Sequence, residues 1–320
     1  MSDEFICDID ELIEVLCLPR SIRANVIIDS SYPLLVPREF VGLMESGNPA
    51  DPLLLQVLPS CLELGAAAGF SCNPLDERID ESNLVLKKYH ARSLIFLTGN
   101  CGIHCRFCFR RHFVHKSLLQ KDAALSKNYI EKILQPIQHD TTLREVILSG
   151  GDPLTIRDSE LAAILDCIEK IDHVKRIRIH SRLPVVQPSR ITEQLNTILQ
   201  RTKPVYLVLH VNHPNELSGT LAQRLKILTA PILLSQTVLL RGINDDVDVL
   251  DKLFERLIDN RIVPYYLHQL DRVAGAAHFE VAVEVGCKLI AKLRSRLPGY
   301  AVPKYVQEIV NASSKKVLTE

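Results

Sequence analysis

The 320-residue chain has no net formal charge, because 38 Lys and Arg offset 38 Asp and Glu. Without a broad cationic face it is a poor candidate for a general nucleic-acid or anionic-membrane binder. No apolar run approaches the roughly 18 residues needed to span a bilayer. The start, Met1-Ser2-Asp3-Glu4-Phe5, is acidic where an export signal is basic. Low-complexity tracts are missing, and so is any repeat beyond a strand–helix period. These absences leave a soluble protein, expected in the cytoplasm.

What is present is enough apolar residue, 47% against 24% charged, to bury a sizeable core. The nine cysteines are an odd number, which argues against a disulfide framework and for reduced thiols, some of them ligands. Cys7, Cys17, Cys61, Cys72, Cys167 and Cys287 read as buried small hydrophobes.

From about residue 93, runs rich in β-branched residues at 94–97, 145–148, 176–179, 205–209, 233–240 and 262–267 alternate with helical patterns. Those helices are expected near 126–136, 158–170, 190–201, 215–229, 246–259 and 280–296. Runs apolar on both faces suit parallel strands covered by helices. Six βα units are too few for the eight-fold barrel, so the expected fold is α/β, an open, partial (β/α)6 barrel. It would occupy 91–297, after a mainly helical N-terminal extension over 1–90 and before a short C-terminal segment over 298–320. The role of the extension is not legible. In such barrels reactive groups gather at the C-terminal ends of the strands.

The most specific motif is Cys101-Gly102-Ile103-His104-Cys105-Arg106-Phe107-Cys108, a loop directly after the first strand. Three thiolates so spaced can each take one iron of a [4Fe–4S] cluster and leave the fourth iron open to an outside ligand. The plainer alternatives are three structural cysteines, or part of a zinc site completed by His104 or His112. Ser149-Gly150-Gly151-Asp152-Pro153 follows the second strand. Its glycines let backbone approach a ligand closely, although such a run also makes an ordinary turn. Further motifs are Lys88-Tyr89-His90-Ala91-Arg92, Phe109-Arg110-Arg111-His112-Phe113, His180-Ser181-Arg182-Leu183-Pro184, His210-Val211-Asn212-His213-Pro214, Gln236 to Asp245, and Tyr265 to Asp271.

The cysteine spacing resembles the radical S-adenosylmethionine (SAM) superfamily. The whole set, from about Leu84 to Lys315, resembles the lysine 2,3-aminomutase family, in particular its branch that makes (R)-β-lysine for modification of translation elongation factor P. This resemblance implies an isomerase with three cofactors, namely a [4Fe–4S] cluster on Cys101, Cys105 and Cys108, SAM, and pyridoxal phosphate (PLP). Ser149, Gly150, Gly151 and Asp152 would meet the SAM amino group, and His210 and Gln236 would line the SAM pocket. Lys315 falls where the family's PLP lysine stands, although Asn311-Ala312-Ser313-Ser314 replaces the family's glycine-rich run and Lys316 is adjacent. Lys88, Tyr89 and Arg92 would serve PLP, the two cations facing its phosphate.

The same resemblance matches Arg110 to the substrate α-carboxylate, and Asp271 and Glu308 to the ε-ammonium of free L-lysine. Glu308 stands where the best-known lysine enzymes carry aspartate. The implied partners are an external one-electron reductant and a downstream ligase acting on elongation factor P, with no direct nucleic-acid or membrane contact; a homo-oligomer fits the family. Arginine or glutamate as substrate, and a non-catalytic iron–sulfur protein, are the competing readings.

Overall fold

The computed structural model describes residues 4–29, 31–78, 84–112 and 127–318. Met1 to Asp3, Phe113 of the arginine motif and position 126, the expected start of a helix, lie outside the described residues. Two short strands, β1 (Phe5–Ile6) and β2 (Val36–Pro37), pair antiparallel as a separate ribbon. The main sheet contains β3 (Val85–Tyr89), β4 (Arg92–Thr98), β5 (Glu145–Gly150), β6 (Arg176–Ser181), β7 (Val205–His210), β8 (Ile232–Val238), β9 (Val263–His268), β10 (Lys304–Gln307) and β11 (Lys316–Val317).

These nine strands bond in the order β11-β10-β9-β8-β7-β6-β5-β4-β3. From β4 to β10 every neighbour is parallel, and only the edge strands β3 and β11 run antiparallel. The sheet ends at β3 and β11 without closing, so this is an α/β fold with an open barrel. All six expected strands are present, and helices follow them at Lys127–His139, Asp158–Glu169, Glu193–Leu199, Gly219–Leu225, Val247–Asp259 and Val283–Arg294.

Two departures matter for the site. The Lys88 motif is itself strand β3, and the segment after Tyr300 adds β10 and β11, so the edges carry structure beyond the six units. Second, not every run is apolar on both faces. In β6, Ile177 and Ile179 are buried toward the core while Arg178 and His180 alternate with them, and Arg178 pairs with Glu145 of β5 at 2.9 Å. Period-2 alternation puts these polar groups on one face, and the same alternation leaves Leu234, Gln236 and Val238 of β8 only half-buried between buried neighbours. The barrel interior is therefore partly polar and open.

Among the described residues of 4–78, α-helix occurs only at Ile9–Val15 and Arg38–Val41, with short 3-10 turns between irregular stretches, in place of the mainly helical extension expected. Their apolar side chains, among them Leu12, Phe40, Leu53 and Leu54, merge with the barrel core in one cluster. The expectation for several cysteines is overturned. Cys7, Cys17, Cys61 and Cys72 are exposed and Cys167 is half-buried, so only Cys287 sits in the core as anticipated. Cys17, for example, lies just past a helix end in a left-handed conformation, φ 51°, which turns the chain outward.

Candidate functional site

The cysteine loop leaves β4 and is braced from outside the barrel. His104 Nδ1 lies 2.8 Å from the Pro33 carbonyl, and the amides of His104 and Arg106 donate to Leu35 and Gln56. Arg106, fully buried, donates to both oxygens of Glu63 at 2.8 and 2.6 Å and to the Tyr32 carbonyl. Arg111 reaches the same carboxylate. Phe107 joins a second small apolar cluster with Leu240, Leu270, Val273 and Phe279. The N-terminal segment thus clamps the loop, a role that depends on pairings more than 40 residues apart and leaves no periodic trace in the sequence.

Within the loop burial pushes all three thiols above the ordinary thiol value, and the charges of Cys108 and Cys105 raise Cys101 further while that of Cys108 raises Cys105. Opposing positive charge comes from Arg110 and Arg182. Among the described residues no three His, Cys, Asp or Glu side chains converge on a single metal ion. The donor set, three thiols on one loop beside two guanidiniums, fits one thiolate per iron of a polynuclear cluster.

The Gly-Gly-Asp motif packs against this loop. Gly150 takes φ 118°, a conformation that L side chains avoid, and a Cβ on either Gly150 or Gly151 would strike the backbone of Thr98 or Asn100. The Gly151 and Asp152 amides donate to Thr98 and Asn100, so the motif packs backbone to backbone on the segment that leads into the cysteine loop. The Asp152 carboxylate is spoken for within the protein: it accepts from Ser181 Oγ at 2.7 Å and from the amides of Leu154, Arg182 and Leu183. His210 meets Phe107 edge-on at 5.7 Å and bonds Asn212, and Gln236 is its register partner on β8. His210 therefore lies beside the cysteine loop, with Gln236 next to it on β8.

A second neighbourhood joins the two edges of the sheet. Glu308, just past β10, accepts from Tyr89 Oη at 2.6 Å and pairs with Lys88 Nζ at 3.2 Å and with Lys315 Nζ. These cations hold its carboxyl down at about 2. Gln307 stands opposite Lys316 in β11, so alternation turns Lys315 inward to Glu308 and leaves Lys316 exposed. Asn311, at φ 60°, makes the turn that a glycine would otherwise serve. Asp271 is placed among Lys315, Glu308, Glu77 and Lys88, and burial pushes its carboxyl up to about 7. His268 and His180 are held neutral by burial and by the neighbouring Lys315 charge, His268 at about 3, and the buried Nε2 of His180 has no partner among the described residues.

Arg110 links the two neighbourhoods. Its Nε and Nη2 grip both oxygens of Glu77 at 2.9 and 3.2 Å, and Nη1 donates to Ser149 Oγ and the Gly150 carbonyl. Glu77 also pairs with Lys88 at 3.1 Å. Arg92 is the one expected residue set apart: it is exposed, 3.5 Å from Glu145, with its guanidinium 5.9 Å from the Tyr89 ring. Sequence reasoning missed Glu63, Glu77 and Arg178, and gave no role of its own to His180, although that residue opens one of the quoted motifs. Only the last two carried a signal, the alternation in β6.

Residues 95–253 match the radical SAM superfamily. The chain is similar to the L-lysine 2,3-aminomutase of Escherichia coli (strain K12), at 41% identity over 98% of this chain and 92% of that protein. The L-lysine 2,3-aminomutase of Haemophilus influenzae (strain ATCC 51907 / DSM 11121 / KW20 / Rd) is 40% identical over 97% of this chain and 91% of its own length. That of Clostridium subterminale is 37% identical, over 89% of this chain and 68% of its own. Among the described residues no helix is long and apolar enough to cross a membrane.

Proposed function

The chain belongs to the lysine 2,3-aminomutase family of radical SAM isomerases, and from that premise we propose that it converts free L-α-lysine to (R)-β-lysine with the help of PLP. The amino group moves from Cα to Cβ and a hydrogen atom moves the opposite way, so product and substrate are isomers. When bound, the cluster and SAM supply a carbon radical able to exchange hydrogen with the substrate, and PLP carries the migrating nitrogen.

One observation carries the substrate assignment. The Arg110 fork grips a carboxylate, that of Glu77, and the Glu308 carboxylate is gripped by two ammonium groups, those of Lys315 and Lys88. Glu77 stands in for a substrate α-carboxylate, and Lys315 stands in for a distal ammonium. A site with these two receptors suits an amino acid with a cationic tail and opposes an acidic one. Arg110 would exchange Glu77 for the substrate, and Asp271 with Glu308 would take the ε-ammonium once Lys315 is engaged by PLP. Lys88 and Arg92 would face the PLP phosphate beside Tyr89, Arg92 by exchanging Glu145 for it.

At the other end Cys101, Cys105 and Cys108 would bind the cluster. Ser149, Gly150, Gly151 and Asp152 would frame SAM through backbone groups, beside His210 and Gln236. Closely packed side chains on rigid strand ends hold the reactants in register. A cytoplasmic setting, an external one-electron reductant, a ligase that loads the product onto elongation factor P, and a homo-oligomer complete the proposal.

Anaerobic incubation of the cluster-reconstituted protein with SAM, PLP, a one-electron reductant and L-lysine, followed by chiral chromatography, tests it. The expected product is (R)-β-lysine. SAM cleavage without β-lysine would move the substrate to another amino acid such as arginine, and intact SAM over a reducible cluster would remove the catalytic reading altogether.

A further inference from the structure

Arg182 has no part in the substrate or PLP chemistry above, yet it is one of the most deliberately held side chains in the protein. Its residue is 5% exposed, and it comes from the turn after β6. Nη1 donates to Cys105 Sγ at 2.7 Å. Nη2 donates to Gln56 Oε1 at 2.7 Å and lies 3.5 Å from Glu216 Oε1. The guanidinium also faces the rings of Phe107 and Phe40 at 5.6 and 5.7 Å.

Each partner is itself fixed. Gln56 Nε2 donates to Glu216 Oε1 at 3.0 Å, and Asn212 donates to both, through its amide to Glu216 and through Nδ2 to Gln56. The Arg182 and Leu183 amides close on Asp152 Oδ2 at 2.7 and 2.9 Å. The aspartate of the Gly-Gly-Asp motif therefore sets the backbone from which the guanidinium reaches the thiol. Four separated parts of the chain converge to aim one buried cation at one sulfur.

We infer that Arg182 is a positioning residue that raises the reduction potential of the cluster, with Glu216 as the counter-charge that limits the rise. The inference rests on the cluster assignment proposed above. Adding one electron from the external reductant makes the cluster and its thiolates more negative by one charge. A cation hydrogen-bonded to a ligand sulfur stabilises the reduced form more than the oxidised one, and a carboxylate close behind that cation does the reverse. Low local polarity strengthens both effects. A guanidinium placed here merely to neutralise Glu216 would sit squarely on the carboxylate. Instead its nearest contacts are the sulfur and the Gln56 amide oxygen, and Glu216 Oε2 is left without a partner among the described residues.

The test is an anaerobic potentiometric titration of the reconstituted cluster, followed by electron paramagnetic resonance without SAM, for the wild type, Arg182→Gln, Arg182→Lys and Glu216→Gln. Arg182→Gln should shift the midpoint to more negative potential, and Arg182→Lys should recover part of that shift. Glu216→Gln, nearly isosteric and so informative even if Arg182→Gln fails to fold, should shift it to more positive potential. A midpoint unchanged or raised in Arg182→Gln, or unchanged or lowered in Glu216→Gln, overturns the inference while the cluster assignment stands. A wild type that assembles no cluster overturns that assignment, and this inference with it.

Discussion

Asp271 is under opposing influences from every side, with Lys315 and Lys88 favouring its ionised form and Glu308 and Glu77 opposing it. Desolvation decides the balance, and the carboxyl titrates at about 7. An ammonium ion entering beside it favours the charged form, so binding lysine near neutrality should expel a proton. Below pH 7 the free site holds that proton and the complex does not, so lysine affinity should rise as pH increases through about 7. His268, at about 3, stays neutral throughout and adds nothing to this dependence. Titration calorimetry of lysine into the PLP-free protein at pH 7, in two buffers of unlike ionisation heat, should report release of up to about half a proton. Asp271→Asn should abolish the release; proton uptake by the wild type would contradict the assignment.

At the scale of elements, the helix Val283–Arg294 carries Gly286 against β10. A Cβ there would strike the hydroxyl and ring of Tyr305, which is buried and tied to Gln269. Replacing an exposed helical glycine by alanine gains about 1 kcal/mol, but here the ring cannot swing away. Gly286→Ala should therefore destabilise the protein by roughly 1–3 kcal/mol, as overpacking does. It should also weaken lysine turnover, because β10 delivers Glu308. Denaturant unfolding checks this, and a variant at least as stable as the wild type would show that Tyr305 yields. Elements of this kind were partly legible in advance. The parallel strands announce themselves by branched apolar runs, whereas β3, with Lys87 and Lys88 in it, and the two-residue β11 are too short and polar to do so. Glu77 and Glu63 stayed hidden because an ion pair between distant segments has no local pattern, and Lys315 and Glu308 were placed only through resemblance.

For the whole molecule, the decisive feature is that an open sheet brings its two edges together through side chains. Lys88 and Tyr89 from β3 meet Glu308 and Lys315 from the β10–β11 edge, so one carboxylate spans the seam. Its pKa near 2 lies below the value of about 4.3 for an unfolded glutamate. A group depressed in the fold contributes stability that is fully present above the unfolded value and lost as pH falls through the folded one. The size of that contribution is roughly 3 kcal/mol, taking about 1.4 kcal/mol per unit. Glu308→Gln, studied without PLP, should be less stable than the wild type by up to about this amount at pH 7. The gap should narrow steadily between about pH 4.5 and 2 as the wild-type carboxylate protonates. Urea midpoints across that range measure it. Glu63, which has no contact with the seam, titrates in both proteins and cancels in the difference, so a gap that stays constant with pH would show that Glu308 does not join the edges by its charge.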